Sequence, residues 1–165
     1  MVGSALAWVV VGYLCGSISH AYLAGRILRG IDLRQYGSGT LGGSNVYAHV
    51  SRPAICIVGV LDILKAFLPT RLAAQAGMTH GVVVATGLAA VLGHNWSLFV
   101  QFRGGRGIST ALGVLLAIFP RGVPYLLLTL GIGKLCQATA SFALLGLLTV
   151  PLLALASGQP PHVIV

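Results

Sequence analysis

The sequence predicts an all-α, polytopic integral membrane bundle of about six transmembrane helices, and three observations predict it. Of 165 residues, 56% are hydrophobic and 7% are charged, against roughly 25% charged in a soluble domain. The mean hydropathy is +0.94. The ten Lys and Arg residues lie scattered between uncharged apolar stretches. A formal charge of +8 would suit a nucleic-acid binder, but such proteins gather their basic residues on one wet face among aromatics. Here they punctuate apolar runs, which argues against nucleic acid as a partner.

Residues 5–25 carry no charge, and at about 1.5 Å per residue they suffice to cross a hydrocarbon core of roughly 30 Å. The first charge, Arg26, follows this run instead of preceding it. The stretch therefore reads as a retained first transmembrane helix and not as a signal peptide. Residues 26–52 read as a long loop, holding Arg26, Arg29, Asp32, Arg34 and Arg52 around the glycine-rich segment 37–45. Pro53 suits the first turn of the next helix, which would reach about Ala76. Residues 81–100 have no Lys, Arg, Asp or Glu and form a third span. Residues 107–119 and 122–133 flank Pro120-Arg121 and read as two antiparallel helices joined by a tight turn, each short for a bilayer. Residues 135–157 supply a sixth apolar segment. With no repeat, low-complexity tract or linker, residues 1–165 read as one domain.

Six spans leave loops on two sides, and the basic residues choose between them. The loops at 26–52, 101–107 and 134–140 hold Arg26, Arg29, Arg34, Arg52, Arg103, Arg106 and Lys134, whereas the opposite loops hold Arg71 and Arg121. The richer side is expected to be cytoplasmic and the N-terminus external. Both glycine-rich loops and Ser141 then face the cytoplasm.

Cys15, Cys56 and Cys136 lack CxxC spacing, and the five histidines show no i,i+4 pairing with one another or with a Cys. Neither a disulfide nor a metal is implied. Gly37-Ser38-Gly39-Thr40-Leu41-Gly42 matches GxGxxG literally, but that fingerprint needs a strand before it and a helix after it. What remains is either a nest of N–H groups for an anion or a flexible interhelical loop. Asp62 and Lys65 lie one helical turn apart inside an apolar run; they suit an i,i+3 ion pair, with a direct catalytic role as the alternative. His94 reads as a hydrogen-bonded structural residue or as a general base. Trp96, Phe99 and Phe102 fit the interfacial aromatic belt. Arg103 and Arg106 bracket Gly104-Gly105, with Gly107, Ser109 and Thr110 next. Guanidinium forks, close backbone amides and a helix start together describe a phosphate site. Topology alone asks for no glycines between charges.

Gly16-Ser17-Ile18 with Ala21-Tyr22-Leu23, Gly37-Ser38-Gly39 through Asn45-Val46, Leu61-Asp62 with Lys65, and Gly93-His94 through Thr110 together resemble the acyl-phosphate:glycerol-3-phosphate acyltransferases of bacterial membranes. The resemblance runs in order from about Gly12 to Ser141. It implies transfer of a fatty acyl group from acyl phosphate to the 1-hydroxyl of glycerol-3-phosphate, giving lysophosphatidic acid for phospholipid synthesis. It implies no cofactor, no metal, and membrane lipid as the surroundings. By position, Gly37, Ser38, Gly39, Gly42 and Asn45 would form a first cradle. Gly104, Gly105, Arg106 and Gly107 would form a second, with Arg106 in the place of the family's usual lysine and Arg103 and Thr110 beside it. Ser141 matches a serine that helps hold the acceptor. Ser38, as an orienting or oxyanion-bonding group, Arg106 and His94 are the expected catalytic set. Thr40, Gly43, Ser44, Ala48 and Ser19 depart from the family pattern, and its third motif, built on a His and an Asn, has no counterpart before Val165. The alternatives are therefore a catalytically impaired relative that binds phosphorylated lipid precursors, or a small anion transporter.

Overall fold

A computed structural model describes residues 2–156, and they are helical with no strand among them. Where the sequence reads one helix over residues 5–25 there are two, α1 (Val2–Ser17) and α2 (His20–Arg29). Ser19 breaks them apart: its backbone is extended and its Oγ accepts the Tyr22 N–H at 3.4 Å, the usual work of a serine N-cap. Uniform hydropathy conceals such a break, because it measures partition into lipid and not chain direction. The loop expected over 26–52 is also more ordered than its glycines suggest. It begins inside α2, makes a 3₁₀ turn at Leu33–Gln35 and forms α3 (Gly43–His49).

The remaining elements follow the expected spans. Pro53 caps α4 (Ala54–Gln75), where its missing N–H has no partner to lose. α5 (His80–Asn95) stops short of residue 100, and a 3₁₀ turn at Leu98–Val100 follows. α6 (Ile108–Ile118), a 3₁₀ turn at Pro120–Gly122 and α7 (Val123–Leu135) make the expected tight pair. At 11 and 13 residues these two helices are about 16 and 20 Å long. α8 (Thr139–Ala156) closes the described chain.

α1 lies along α5, α4 along α6 and α7 along α8, with α4 also touching α1 and α5. Small residues let α1 and α5 approach: a Cβ on Gly16 would collide with the Ala90 backbone, and one on Gly93 with the Tyr13 carbonyl. Close backbone packing of this kind replaces the hydrophobic drive that lipid removes.

Polarity runs opposite to that of a water-soluble bundle. Leu6, Leu64, Leu68, Leu88, Leu128 and Leu148 are exposed, while Asp62, Lys65, Thr70, Thr86, His94 and Thr110 are buried. A continuous apolar exterior of this kind suits hydrocarbon. Thr70 and Thr86 satisfy their hydroxyls by donating to carbonyls one turn back, at 2.7 and 2.8 Å, as polar groups inside a membrane bundle must.

Candidate active site

At one end of the bundle the α1–α2 break, the C-terminus of α5, the N-terminus of α6 and both glycine-rich loops meet. Asp32 anchors the first loop. Its Oδ2 accepts Arg34 at 2.6 Å and Arg26 at 3.2 Å, and its Oδ1 accepts the Arg34 Nε at 2.9 Å. The Arg34 hydrogen bonds outweigh the cost of burial and lower the Asp32 pKa from 3.8 to about 2. Arg34 also reaches the second loop, donating to the Val100 carbonyl at 3.3 Å and to Gln101 Oε1 at 3.0 Å. Gln101 and Phe102 there hold left-handed φ of 60° and 59°, a conformation costing roughly 1 kcal/mol or more each. The Arg34 bonds and a Phe102 N–H to Ser97 carbonyl bond at 2.7 Å hold the turn.

The loops are tied to each other as well. The Leu41 N–H donates to the Gly104 carbonyl at 3.0 Å, and the Gly105 N–H to the His94 carbonyl at 3.2 Å. Such contact needs glycine, since a Cβ on Gly104 would collide with the His94 carbonyl, and one on Gly105 with His94 Nε2. Gly107 caps α6 at φ 72°, in the region that glycine enters without steric cost.

This folding leaves a cleft of about 200 Å³ lined by Gly42, Gly43, Asp62, His94, Arg106, Gly107, Ile108 and Ser109. The first N–H groups of α6 are on its wall, with no carbonyl of their own helix to bond. Among the described residues Arg106 has no hydrogen-bond or ion-pair partner, whereas Arg26, Arg34 and Lys65 are all paired. A free guanidinium beside open helix amides has the chemistry to receive an anion. Thr110, in the first turn of α6, has a buried Oγ1 with no partner, as does the Asn95 Oδ1 beside Gly107.

Behind the cleft lies a buried polar cluster. Asp62 Oδ1 meets Lys65 Nζ at 2.9 Å and His20 Nδ1 at 3.0 Å, and Lys65 Nζ also reaches His94 Nδ1 at 2.9 Å and the Ile18 carbonyl at 2.7 Å. The i,i+3 pair expected of Asp62 and Lys65 is present, but as part of a four-residue network that opens onto the cleft. Sequence reasoning passed over His20. A lone acid in an apolar helix needs more than one partner, and that requirement was the available signal. It also passed over Gly43 and Ile108 on the cleft wall, while Ser109, named with the phosphate segment, does line it. Among the described residues no group of three or more His, Cys, Asp or Glu side chains is placed to hold a metal.

The expected site residues divide by location. His94, Arg106, Gly42 and Gly107 line the cleft, whereas Gly104 and Gly105 pack against His94 without lining it. Gly37, Ser38 and Gly39 lie on the loop that runs into Gly42, with Ser38 Oγ 2.8 Å from Thr40 Oγ1. Asn45 is buried away from the cleft wall, and its Nδ2 lies within hydrogen-bond distance of the Leu33, Tyr36 and Thr40 carbonyls. Arg103 is exposed and does not line the cleft. Ser141 is exposed at the start of α8, which packs on α7 and does not line the cleft.

Residues 6–165 match the family described as glycerol-3-phosphate acyltransferase. A glycerol-3-phosphate acyltransferase of Synechococcus sp. (strain CC9902) is 38% identical over 159 residues, covering 96% of this chain and 80% of that one. One of Parasynechococcus marenigrum (strain WH8102) is 34% identical, covering 94% and 74%. Among solved structures, the glycerol 3-phosphate form of PlsY, an integral membrane glycerol 3-phosphate acyltransferase, superposes with a TM-score of 0.85 at 35% identity, covering 98% of this chain and 81% of that one. Its lysophosphatidic acid form superposes with a TM-score of 0.83. The chain is thus an integral membrane protein and belongs to the glycerol-3-phosphate acyltransferase family.

Proposed function

We propose that the chain transfers a fatty acyl group from acyl phosphate to the 1-hydroxyl of glycerol-3-phosphate, producing lysophosphatidic acid for phospholipid synthesis, and that residues 1–165 act as one transmembrane acyltransferase unit. The observation that carries this reading is the unpaired Arg106 beside the N-terminus of α6, on the wall of a cleft that also holds His94. Both substrates carry phosphate, and the donor carries a lipid tail suited to the apolar exterior. A mixed anhydride is already activated, so positioning and charge stabilisation suffice without a covalent acyl-enzyme. The C1 hydroxyl oxygen bonds to the acyl carbon, the bond from that carbon to the phosphate oxygen breaks, and the hydroxyl proton leaves with the phosphate.

Arg106, Gly104, Gly105, Gly107 and Thr110 would hold one phosphate, and Gly37, Gly39 and Gly42 would bring backbone amides to the other. Ser38 would orient the reacting carbonyl, Asn45 would fix the loop that carries Ser38, and Arg103 would meet lipid headgroups at the rim. Ser141 enters only if the acceptor extends towards α8. The excess of arginine on this end favours its placement in the cytoplasm, with the N-terminus outside. Purified protein given acyl phosphate and labelled glycerol-3-phosphate should yield labelled lysophosphatidic acid well above an Arg106→Ala control. Equal yields, or none, would refute the assignment, and reporter fusions to each loop would test the sidedness.

A further inference from the structure

We propose that Lys65 is a positioning residue that fixes His94 in one tautomer, so that His94 serves acyl transfer as a hydrogen-bond donor to phosphate in the cleft and not as a general base. The inference rests on the acyl-transfer reading above. Lys65 Nζ has three neighbours at bonding distance, Asp62 Oδ1 at 2.9 Å, the Ile18 carbonyl at 2.7 Å and His94 Nδ1 at 2.9 Å. An ammonium group has three donors and no acceptor, so all three are used and the nitrogen it meets must present a lone pair. His94 Nδ1 is therefore bare, and the ring hydrogen sits on Nε2.

Nε2 is the atom against which a Cβ on Gly105 would collide, so this hydrogen lies on the ring edge turned away from Lys65, beside Gly105, in a residue that lines the cleft. A neutral ring with Nε2–H there can donate to a phosphate oxygen but has no lone pair to accept the substrate's hydroxyl proton. Asp62 completes the device. It supplies the counter-charge for Lys65 and accepts from His20 Nδ1 at 3.0 Å, while its Oδ2 stays 3.9 Å from His94 Nδ1, beyond hydrogen-bond reach, so the buried cation is compensated and Nδ1 is left to Lys65. The two histidines thus meet the network in opposite senses: His20 donates from Nδ1 and His94 accepts at Nδ1.

The test has a spectroscopic arm that needs no turnover. In protein labelled with 15N-histidine and held in detergent micelles, the His94 ring, assigned with His94→Gln, should show a bare Nδ1 and a protonated Nε2. Lys65→Met should abolish that preference. A wild-type ring that is Nδ1–H or doubly protonated overturns the proposal, as does a spectrum unchanged in Lys65→Met. The kinetic arm leaves the Asp62–Lys65 pair intact, which guards against misfolding. The Gln amide nitrogen reaches the place of Nε2, and the Asn nitrogen the place of Nδ1. His94→Gln should retain kcat within about tenfold of wild type, whereas His94→Asn should lose about 100-fold, with the KM for glycerol-3-phosphate little changed in both. Asn equal to Gln overturns the donor role. Failure of wild type to make lysophosphatidic acid would instead count against the function, leaving the tautomer result standing by itself.

Discussion

The Leu41 amide donates to the Gly104 carbonyl at 3.0 Å, which makes one wall out of two glycine-rich loops that are far apart in sequence. Leu41 is fully buried, in the cluster that holds Leu33, Val46 and Val50. The first loop is thus anchored in a core while its neighbours Gly42 and Gly43 face the cleft. A change on either side of this bond should be felt on both.

Gly105→Ala tests the fit between the loops. The added methyl would collide with His94 Nε2 and lie 2.7 Å from the Leu41 carbonyl, so ring and loop must both shift. Activity should fall by about 100-fold, a loss expected when one positioned donor is displaced, while the apolar spans hold the thermal midpoint nearly constant. Gly59→Ala is the matched control, because nothing lies within 4 Å of a Cβ there. An active Gly105→Ala enzyme, assayed by labelled product, would mean that the His94 ring and Gly105 are not in contact.

Arg106 and Arg103 flank the same glycines but differ in placement, since only Arg106 lines the cleft. Loss of a charged hydrogen bond to phosphate costs roughly 1.5–3 kcal/mol, so Arg106→Ala should lower kcat/KM about 10- to 150-fold. Arg106→Lys should recover part of this through its charge, without the bidentate grip. Arg103→Ala should stay within about threefold of wild type, as expected of an exposed rim charge. Initial rates over a range of glycerol-3-phosphate decide the point, and equal losses at both positions would contradict the placement.

Much of this arrangement was legible in the sequence because lipid imposes simple rules on it. The six apolar segments appear as α1, α4, α5, α6, α7 and α8, since uncharged length is what the bilayer selects. The pairing of Asp62 with Lys65 could be read from i,i+3 spacing in an apolar run. The break at Ser19 could not, because a serine among apolar residues leaves hydropathy almost untouched. Nor could the joining of Lys65 to His94, which depends on α4 and α5 lying side by side, a fact that no local pattern encodes. Asn45 illustrates a third kind of gap. A short polar residue in a glycine-rich loop looks like a ligand for an anion, and only the positions of three carbonyls show that it is bonded to its own loop.

Asp32 is the acid outside the spans, and its pKa is lowered from 3.8 to about 2, chiefly by the Arg34 hydrogen bond. A carboxylate whose folded pKa lies below its unfolded value contributes stability above the unfolded pKa and loses it as pH falls through the folded one. The difference in thermal midpoint between wild type and Asp32→Asn should therefore be constant at neutral pH. It should begin to shrink near pH 3.8 and be nearly gone at about pH 2. Unfolding curves in detergent across this range check it; a difference independent of pH would show that the Arg34 bonds do not hold the charge.

Asn45, in the first turn of α3, braces the loop that carries Ser38, and variants of the two should separate folding from chemistry. The Asn45 Nδ2 lies 3.1, 2.9 and 3.0 Å from the Leu33, Tyr36 and Thr40 carbonyls, so two amide hydrogens are shared among three acceptors. Asn45→Ala leaves those carbonyls without their donor and should cost about 2–3 kcal/mol of stability. Asn45→Asp keeps the shape but turns a carboxylate towards the same carbonyls, so it should be the less stable of the two. Ser38 is exposed, and among the described residues its Oγ bonds only with Thr40, through the hydroxyl at 2.8 Å and the amide at 3.5 Å. Ser38→Ala should therefore change stability by no more than about 0.5 kcal/mol while still lowering kcat if its hydroxyl orients the reacting carbonyl. Thermal unfolding and initial rates measured on the same preparations distinguish these effects. If Ser38→Ala unfolded as readily as Asn45→Ala, the loop would owe its form to the hydroxyl pair and not to the asparagine brace.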